Sequence, residues 1–321
     1  MTAKVTIGLA FDGASDPVPV RSMRLDRGLA HPVGRANIVL PKGVSAPEPG
    51  AIVDISITQG DDSFAVMNGY VAWRGTGQDH TAVSILERAG RMNIPMVAKS
   101  YGNTTAGQII SDLCSTADVP TATILPGATI PHMVLRGDAT MLDHAKRLAR
   151  MSGLLLTSQT SGELATVAIA LPVPGAPASL DRARQASVDA VAGDEPGDVR
   201  VIGAGALGTA GPGASTLPLA DPSLIASGPD DAPRTHHIAG IRTLADTTLA
   251  QLAAKQRRSA RGSGIAITTP LPEDLSPSDV TLLPDENGLP IRLARLEALE
   301  LGFSAHSGLL AQYRFSDLEA L

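Results

Sequence analysis

Two segments with helical periodicity interrupt a chain whose other segments have the patterns of strands and turns. The first, AGQIISDLCSTA, follows Asn103 and ends before Pro120, which cannot continue a helix. The second, TMLDHAKRLARMSG, follows Gly137 and leads into the apolar residues 154–156. This pair predicts a small helical unit at residues 96–160 that separates two β regions.

The N-terminal part, residues 1–95, has the pattern of short antiparallel strands. Val53, Ile55 and Ile57 alternate with polar residues, which is typical of a strand with one buried face. Gly69 lies in the middle of the next strand, where a bulge or a barrel corner would favour glycine. Strands of this length joined by short turns predict a small antiparallel β-barrel.

Capping signals mark the ends of both helices. Thr105 and Gln108 have the spacing of a capping box at the start of the first helix. Asp138 or Thr140 would cap the second helix, and Gly153 fits the left-handed position that follows its end.

The C-terminal part, residues 161–321, returns to β patterns around a third helix predicted at 244–261. Two proline-rich stretches, 172–198 and 208–233, have little periodicity and are predicted to be long connections. The segment 290–304 is ambiguous, because its propensity favours a helix while part of its apolar spacing fits a strand.

Composition argues against several functions. Aromatic residues make up 2% of the chain, whereas sugar-binding modules and single-stranded nucleic-acid binders rely on aromatic stacking. The net charge of −6 argues against a nucleic-acid clamp.

The single cysteine, Cys114, excludes an intramolecular disulfide and is predicted to be a core residue. No stretch approaches the ~20 apolar residues of a membrane span, so we expect a protein that is made in the cytoplasm and does not insert into membranes.

Gly203, Gly205 and Gly208 have the spacing of a dinucleotide-binding motif. That chemistry needs a helix directly after the glycines, because the helix N-terminus binds the pyrophosphate. A proline-rich stretch follows instead, so we interpret the segment as a strand that enters a glycine-rich loop.

The other polar motifs do not predict a site either. His236 and His237 are adjacent, and neighbouring strand residues point to opposite faces, so they rarely bind one metal ion. Ser263 lacks the sequence context of a catalytic nucleophile. We interpret the acidic pairs Asp61-Asp62 and Asp230-Asp231 as solvated loop residues. The third helix has a basic face, which we interpret as solvated, with a subunit contact as the alternative; its residues are Lys255, Arg257, Arg258 and Arg261.

Several segments, in this order, resemble the tail hub proteins of contractile phages, a group that includes the late control protein D family and the hub core of VgrG spike proteins. The segments that carry the resemblance are AIVDISI followed by MNGYVAWRG, TAGQIISDLCSTADVP, MLDHAKRLARMSGLLL, LAQLAAKQRRSARGSGIAITTP and IRLARLEALELGFSAHSGLLAQYRF. The last would be a terminal hairpin, which is why 290–304 is predicted to be a strand. Leu156 and Glu300 stand where the family often has an aromatic residue and a histidine.

The resemblance implies a mainly β chain with an α+β insert, in which two antiparallel β-barrel tube domains, 1–95 and 161–321, flank the helical domain 96–160. Such hubs form homotrimers, so that six barrels match a six-fold tail tube to a three-fold spike. The chain would be structural, without catalytic, cofactor-binding or metal-binding residues. Its partners would be the tail tube protein, the spike protein and other baseplate proteins.

The resemblance also implies a location. The protein would lie in the tail baseplate of a virion that is assembled in the cytoplasm of a bacterial host. DNA would pass through the lumen without specific binding, and an acidic subunit suits this because negative charge repels phosphates.

Two alternatives remain open at this stage. The chain could be a hub or spike component of a type VI secretion system or an extracellular contractile injection system. A remote alternative is an enzyme, either nucleotide-binding through Gly203, Gly205 and Gly208 or acting on the cell wall.

Overall fold

The structure is a computed structural model that describes ten stretches of the chain. These are residues 5–11, 18–59, 62–169, 187–192, 199–206, 218–225, 234–238, 244–270, 275–284 and 290–318. They contain nineteen strands and three α-helices, so the prediction of a mainly β chain with few helices is confirmed.

The N-terminal stretch forms seven strands. They are β1 (Val5–Phe11), β2 (Val18–Pro19), β3 (Ser22–Gly28), β4 (His31–Pro41), β5 (Ile52–Gln59), β6 (Asp62–Thr76) and β7 (His80–Glu87). In β3, Met23 and Leu25 are buried and Arg24 between them is exposed, which is the alternation expected of a sheet with one packed face.

The middle of the chain contains the two predicted short helices and four strands. The elements are a 3₁₀ helix (Arg88–Met92), β8 (Lys99–Thr105), α1 (Ala106–Thr116), β9 (Thr129–Leu135), α2 (Met141–Met151), β10 (Leu154–Ser158) and β11 (Leu164–Ala168). Thr105 and Gln108 form the predicted capping box, and Thr140 caps α2. Gly153 has a φ of 69°, which confirms its left-handed position after α2.

The C-terminal stretch contains eight strands and the third helix. The elements are β12 (Ser187–Ala192), β13 (Val199–Ala206), β14 (Pro218–Ile225), β15 (Arg234–Ile238), α3 (Leu244–Gly262), β16 (Ser263–Thr269), β17 (Val280–Pro284), β18 (Pro290–Ser304) and β19 (Gly308–Asp317). The prediction of α3 and the choice of a strand for 290–304 are both confirmed.

One twelve-stranded antiparallel sheet joins the two ends of the chain. Its order is β12-β16-β19-β18-β3-β4-β7-β6-β5-β1-β2, with β17 paired to β18. The pairing of β3 with β18, from Ser22 with Ser304 to Gly28 with Ala298, connects the N-terminal strands to the C-terminal ones. The pairings among the described strands form an open series, and they do not close into a barrel.

The described residues form two hydrophobic cores. The first is shared by both halves of the main sheet and includes Leu25 and Ile55 of the N-terminal strands and Tyr313 of β19. The second lies around α1 and α2, and it also includes Val201 of β13 and Ala250 of α3. The chain segment around β13 and α3 therefore packs on the helical insert rather than only on the C-terminal strands.

The two stretches predicted to be long connections contain strands, which corrects that prediction. In 172–198, β12 pairs with β16, so its structure depends on a distant partner that local periodicity does not reveal. In 208–233, β14 contains Pro218 and Pro222. Among the described strands β14 pairs with β13 alone, and proline is tolerated in such an edge strand because one side of the strand needs no N–H donor.

Gly69 lies between two bulges rather than in one. The register of β6 shifts between Ala65 and Met67 and again between Val71 and Trp73. A Cβ atom on Gly69 itself would lie 2.3 Å from the carbonyl oxygen of Leu86. Glycine is therefore required by the close approach of the neighbouring backbone.

Candidate interaction surface

A row of directly paired residues crosses β6, β7, β4, β3, β18 and β19 on one face of the main sheet. We call it the sheet row, and its members are Trp73, Ser84, Asn37, Arg24, Gly302 and Leu310. At its two ends lie two exposed large apolar side chains, Trp73 at 57% and Leu310 at 51%. Neighbouring strands lie about 4.8 Å apart, so the row spans roughly 24 Å.

Four charged side chains form ion pairs around the middle of the sheet row. Arg24 lies 3.5 Å from the Asp26 carboxylate and 3.7 Å from that of Glu300. Arg314 donates to Glu300 at 2.7 Å. Because these residues belong to β3, β18 and β19, the ion pairs bridge the two halves of the sheet. Exposed pairs stabilise by only about 0–1 kcal/mol each, so their main effect is to arrange charge on this surface.

A buried ion pair lies on the opposite, packed side of the sheet. Arg27 Nε donates to Glu87 Oε1 at 2.6 Å, and the two side chains are 1% and 2% exposed. Arg27 also donates to the carbonyl oxygens of Val66 and Ser158, and Glu87 accepts from the backbone N–H of Gly34. Buried charges are tolerated when they are paired and hydrogen-bonded in this way. We call Arg27 and Glu87 the buried junction.

Further buried hydrogen bonds fix the helical insert against the sheet. Thr157 of β10, the neighbour of Ser158, donates its hydroxyl to the carbonyl of Pro277 at 3.0 Å. Arg295 of β18 donates to the carbonyl of Ile169, which follows β11, at 3.1 Å. Residues in β10 and directly after β11 are thus hydrogen-bonded to both the N-terminal and the C-terminal parts of the chain that form the main sheet.

Arg295 and Glu297 have shifted pKa values because they are buried. Burial lowers the pKa of Arg295, and the charge of Glu297 opposes this shift. Burial raises the pKa of Glu297, while the hydroxyl of Ser316, which donates at 2.8 Å, and the charge of Arg295 oppose it. Each charge therefore favours the ionised form of the other side chain, as expected of a pair with a structural role.

Cys114 is a core residue, as predicted from its place in the first helix. Its side chain is fully buried, and its Sγ lies 3.9 Å from Met92 Sδ. Burial raises the pKa of the thiol to about 12. Such a thiol stays protonated at neutral pH and is a poor nucleophile.

The glycine motif does not have the geometry of a dinucleotide site. Gly203 and Gly205 lie inside β13, which pairs with β14 on one side and β15 on the other, and Gly208 lies outside the described residues. A dinucleotide site places these glycines in the turn between a strand and a helix. The predicted strand is confirmed, but it continues through Gly203 and Gly205 to Ala206 instead of entering a loop at the first glycine.

The other candidate residues do not converge on a site. His236 and His237 occupy consecutive positions in β15, and Ser263 opens β16. Across the stretches that the structure describes, no group of three or more His, Cys, Asp or Glu residues could hold a metal ion. Lys255 is half-buried in α3. The described residues do not include Asp61, Asp230 and Asp231. They also do not include the side chains of Asp62, Arg257, Arg258 and Arg261.

None of the described helices combines the length and the apolar composition needed to cross a bilayer.

Sequence reasoning missed both the buried junction and the sheet row. Arg27 stands two residues after the buried Leu25, and Glu87 two residues after the buried Ile85, so each charge continues an inward-facing strand pattern. A charge at an inward strand position is a readable signal of a buried polar contact. Trp73 is the only tryptophan of the chain, but its exposure follows from the register of β6, which the sequence does not specify.

Comparisons with known proteins find a similar fold in phage tail proteins. No protein family and no curated protein matches the sequence. Among solved structures, the 43 kDa tail protein of prophage MuSo2 from Shewanella oneidensis has a TM-score of 0.69 at 14% identity, over 97% of this chain and 98% of that chain. A tail protein from Neisseria meningitidis has a TM-score of 0.67 at 15% identity, over 98% of this chain and 97% of that chain.

The chain has the fold of these phage tail proteins. A component of the type VI secretion system of Escherichia coli, which itself is similar to tail proteins of bacteriophage T4, also shares it. The TM-score is 0.62 at 9% identity, over 97% of this chain and 77% of that chain. The resemblance read from the sequence motifs thus agrees with the fold.

Proposed function

We propose that the chain is a structural hub of a phage tail baseplate. As a homotrimer it would adapt the six-fold tail tube to the three-fold spike and form part of the DNA channel. The observation that carries the proposal is the similarity of fold over almost the whole length of both chains to two prophage tail proteins. The ordered motifs of the sequence support the same class.

In this proposal each half of the main sheet curves into a tube-type β-barrel, residues 1–95 and 161–321, with 96–160 as the insert between them. Large antiparallel sheets of about ten strands tend to curl, which supports this shape. The shared core and the pairing of β3 with β18 would keep the two barrels of one subunit side by side. Three subunits would then contribute six barrels to one ring.

The sheet row is the proposed contact between neighbouring subunits of the ring. An exposed tryptophan and an exposed leucine flank polar and charged residues, and tryptophan is enriched among residues that dominate interfaces. Other surfaces would bind the tail tube protein, the spike protein and other baseplate proteins. The net charge of −6 per chain supports a lumen that repels DNA.

The mass of the purified protein in solution tests the proposal. Light scattering after size exclusion is expected to give about three times the 32.9 kDa of one chain. Electron micrographs of the same fraction should show three-fold rings in end-on views. A stable monomer across the accessible concentration range would contradict the proposal.

A second candidate is a hub of a type VI secretion or extracellular contractile injection system. The similarity to the Escherichia coli type VI component, at a TM-score of 0.62, favours it. Mass spectrometry of purified particles from the native host distinguishes the two candidates. Detection in particles that carry packaged DNA supports the phage tail, and detection only in particles without DNA supports the injection system.

The proposal assigns no enzymatic activity and no cofactor. A thermal-shift screen with NAD, NADP and nucleotides checks this, because a ligand that binds only the folded state raises Tm. We expect no shift, and a saturable shift with any nucleotide would favour the enzyme alternative.

A further inference from the structure

A pocket of about 300 Å³ lies where the helical insert meets the main sheet. Strands β4 and β7 form one side of it and α2 the other. Its apolar lining includes Val33, Leu86 and Leu142. Leu142 is buried and lies one helical turn before Lys146, so the apolar floor and the basic rim of α2 adjoin.

Two cationic side chains, Arg35 and Lys146, and the imidazole of His31 line the same pocket, and the described residues of its lining include no acidic one. Among the described side chains, no carboxylate forms an ion pair with any of the three. Elsewhere on the described surface, Arg74 and Arg91 each lie beside a carboxylate, that of Glu48 and that of Asp118. Cations gathered without counter-charge repel one another, and an anionic ligand would relieve this repulsion.

The pocket adjoins the sheet row through Arg35. Its Nε donates to Asn37 Oδ1 at 3.1 Å and to Ser84 Oγ at 3.2 Å, and both acceptors are members of the row. These bonds hold the guanidinium at the boundary between the two features.

We propose that the pocket binds a peptide segment of a partner protein in which a carboxylate side chain stands beside an aliphatic one. The basic rim complements the carboxylate, and the apolar floor accepts the aliphatic side chain. The volume is at the lower end of the range for ligand pockets, about 300–1,000 Å³, which suits one or two side chains rather than a folded domain. This contact goes beyond the proposed hub function, and it does not depend on the number of subunits.

Fluorescence anisotropy tests the proposal with the full-length protein and a labelled peptide, acetyl-Gly-Leu-Glu-Leu-Glu-Gly-amide. The ligand control is the same peptide with Gln in place of both Glu residues. The variant Lys146→Glu reverses a charge of the pocket, and Arg147→Glu is the matched control, because Arg147 is exposed on the same helix and does not line the pocket. Sodium phosphate serves as a competitor that represents small free anions.

We expect saturable binding of the acidic peptide that weakens about tenfold or more in Lys146→Glu and less than about threefold in Arg147→Glu. The Gln peptide should bind at least about tenfold more weakly. Equal effects of the two variants would mean unspecific attraction and would overturn the proposal, as would the absence of saturable binding. Full displacement by phosphate at equal concentration would identify a small-anion site instead. Light scattering on each variant measures the subunit number, so a change in assembly is distinguished from a change in peptide binding.

Discussion

At the scale of single residues, Arg27 and Glu87 form a buried ion pair within the main sheet, and Arg27 also donates to the carbonyl of Ser158 in β10. Replacing Arg27 by Ala would leave Glu87 buried without its partner. We expect the free energy of unfolding to fall by about 3–5 kcal/mol, measured by urea denaturation. Arg24→Ala, which removes only exposed ion pairs, should change it by about 1 kcal/mol or less. Similar losses in both variants would contradict the role of the buried junction.

The thiol of Cys114 provides a residue-scale prediction with a defined pH dependence. Its pKa rises on folding from an ordinary value of 9.0 to about 12, so folding favours the protonated form. Its contribution to stability is therefore complete below pH 9.0 and is lost as pH rises toward about 12, since the unfolded thiol ionises first. Urea denaturation of the wild type and Cys114→Ala should give free energies that converge above pH 9.0. A difference that stays constant with pH would contradict the assignment.

Single residues were predictable where their signal is local. Cys114 lies on the apolar side of a helix, and the capping pair Thr105 and Gln108 is readable from spacing alone. The partner of Arg27 is sixty positions away in the chain, and strand register decides that the two side chains meet. The sequence pattern gives the inward position of each charge but not the pairing.

At the scale of elements, the capping box of α1 allows a direct test. The hydroxyl of Thr105 accepts from the backbone N–H of Gln108 at 3.2 Å. Thr105→Ala should lower the free energy of unfolding by about 0.5–2 kcal/mol, because this N–H loses its acceptor. Thr116→Ala, at the other end of α1, removes a hydroxyl that donates to the carbonyl of Asp112 and should change stability by less than about 0.5 kcal/mol. Equal losses would mean that general helix propensity, and not the cap, determines the effect.

Helices were easier to predict than strands for a physical reason. Caps and 3.6-residue periodicity are properties of one segment, so α1, α2 and α3 could be located from the sequence. A strand such as β12 is stabilised by its partner β16, and β14 contains prolines that its edge position tolerates. The segment of β18 was predicted as a strand only through the resemblance, because its own propensity favours a helix.

At the scale of the whole molecule, the main sheet is the feature that the sequence suggested only in outline. Two β regions were predicted as separate barrels, and the structure joins them through β3 and β18 into one sheet with one core. Such a pairing connects residues about 270–280 positions apart, which no local pattern can specify. The division at 95 and 160 stays a prediction, and the packing of β13 and α3 on the insert indicates a larger helical unit.

The proposed ring predicts which surface residues matter for assembly. If the sheet row forms the subunit contact, Leu310→Asp and Trp73→Asp each replace one of its two large apolar side chains by a charge. We expect a loss of about 2 kcal/mol when such a large apolar anchor of an interface is replaced, which corresponds to a roughly thirtyfold increase in Kd. Light scattering at matched concentrations should then show a shift from trimer toward monomer.

The matched control is Val97→Asp, because Val97 is 89% exposed and lies outside the sheet row. It should keep the mass of the wild type, since a charge on a free surface disturbs no contact. If all three variants remain trimers, the subunits meet elsewhere. If only the trimer of the Val97→Asp variant dissociates, the subunit contact lies beside the insert instead. The six barrels of the ring would then be held together through their helical domains rather than through the sheet.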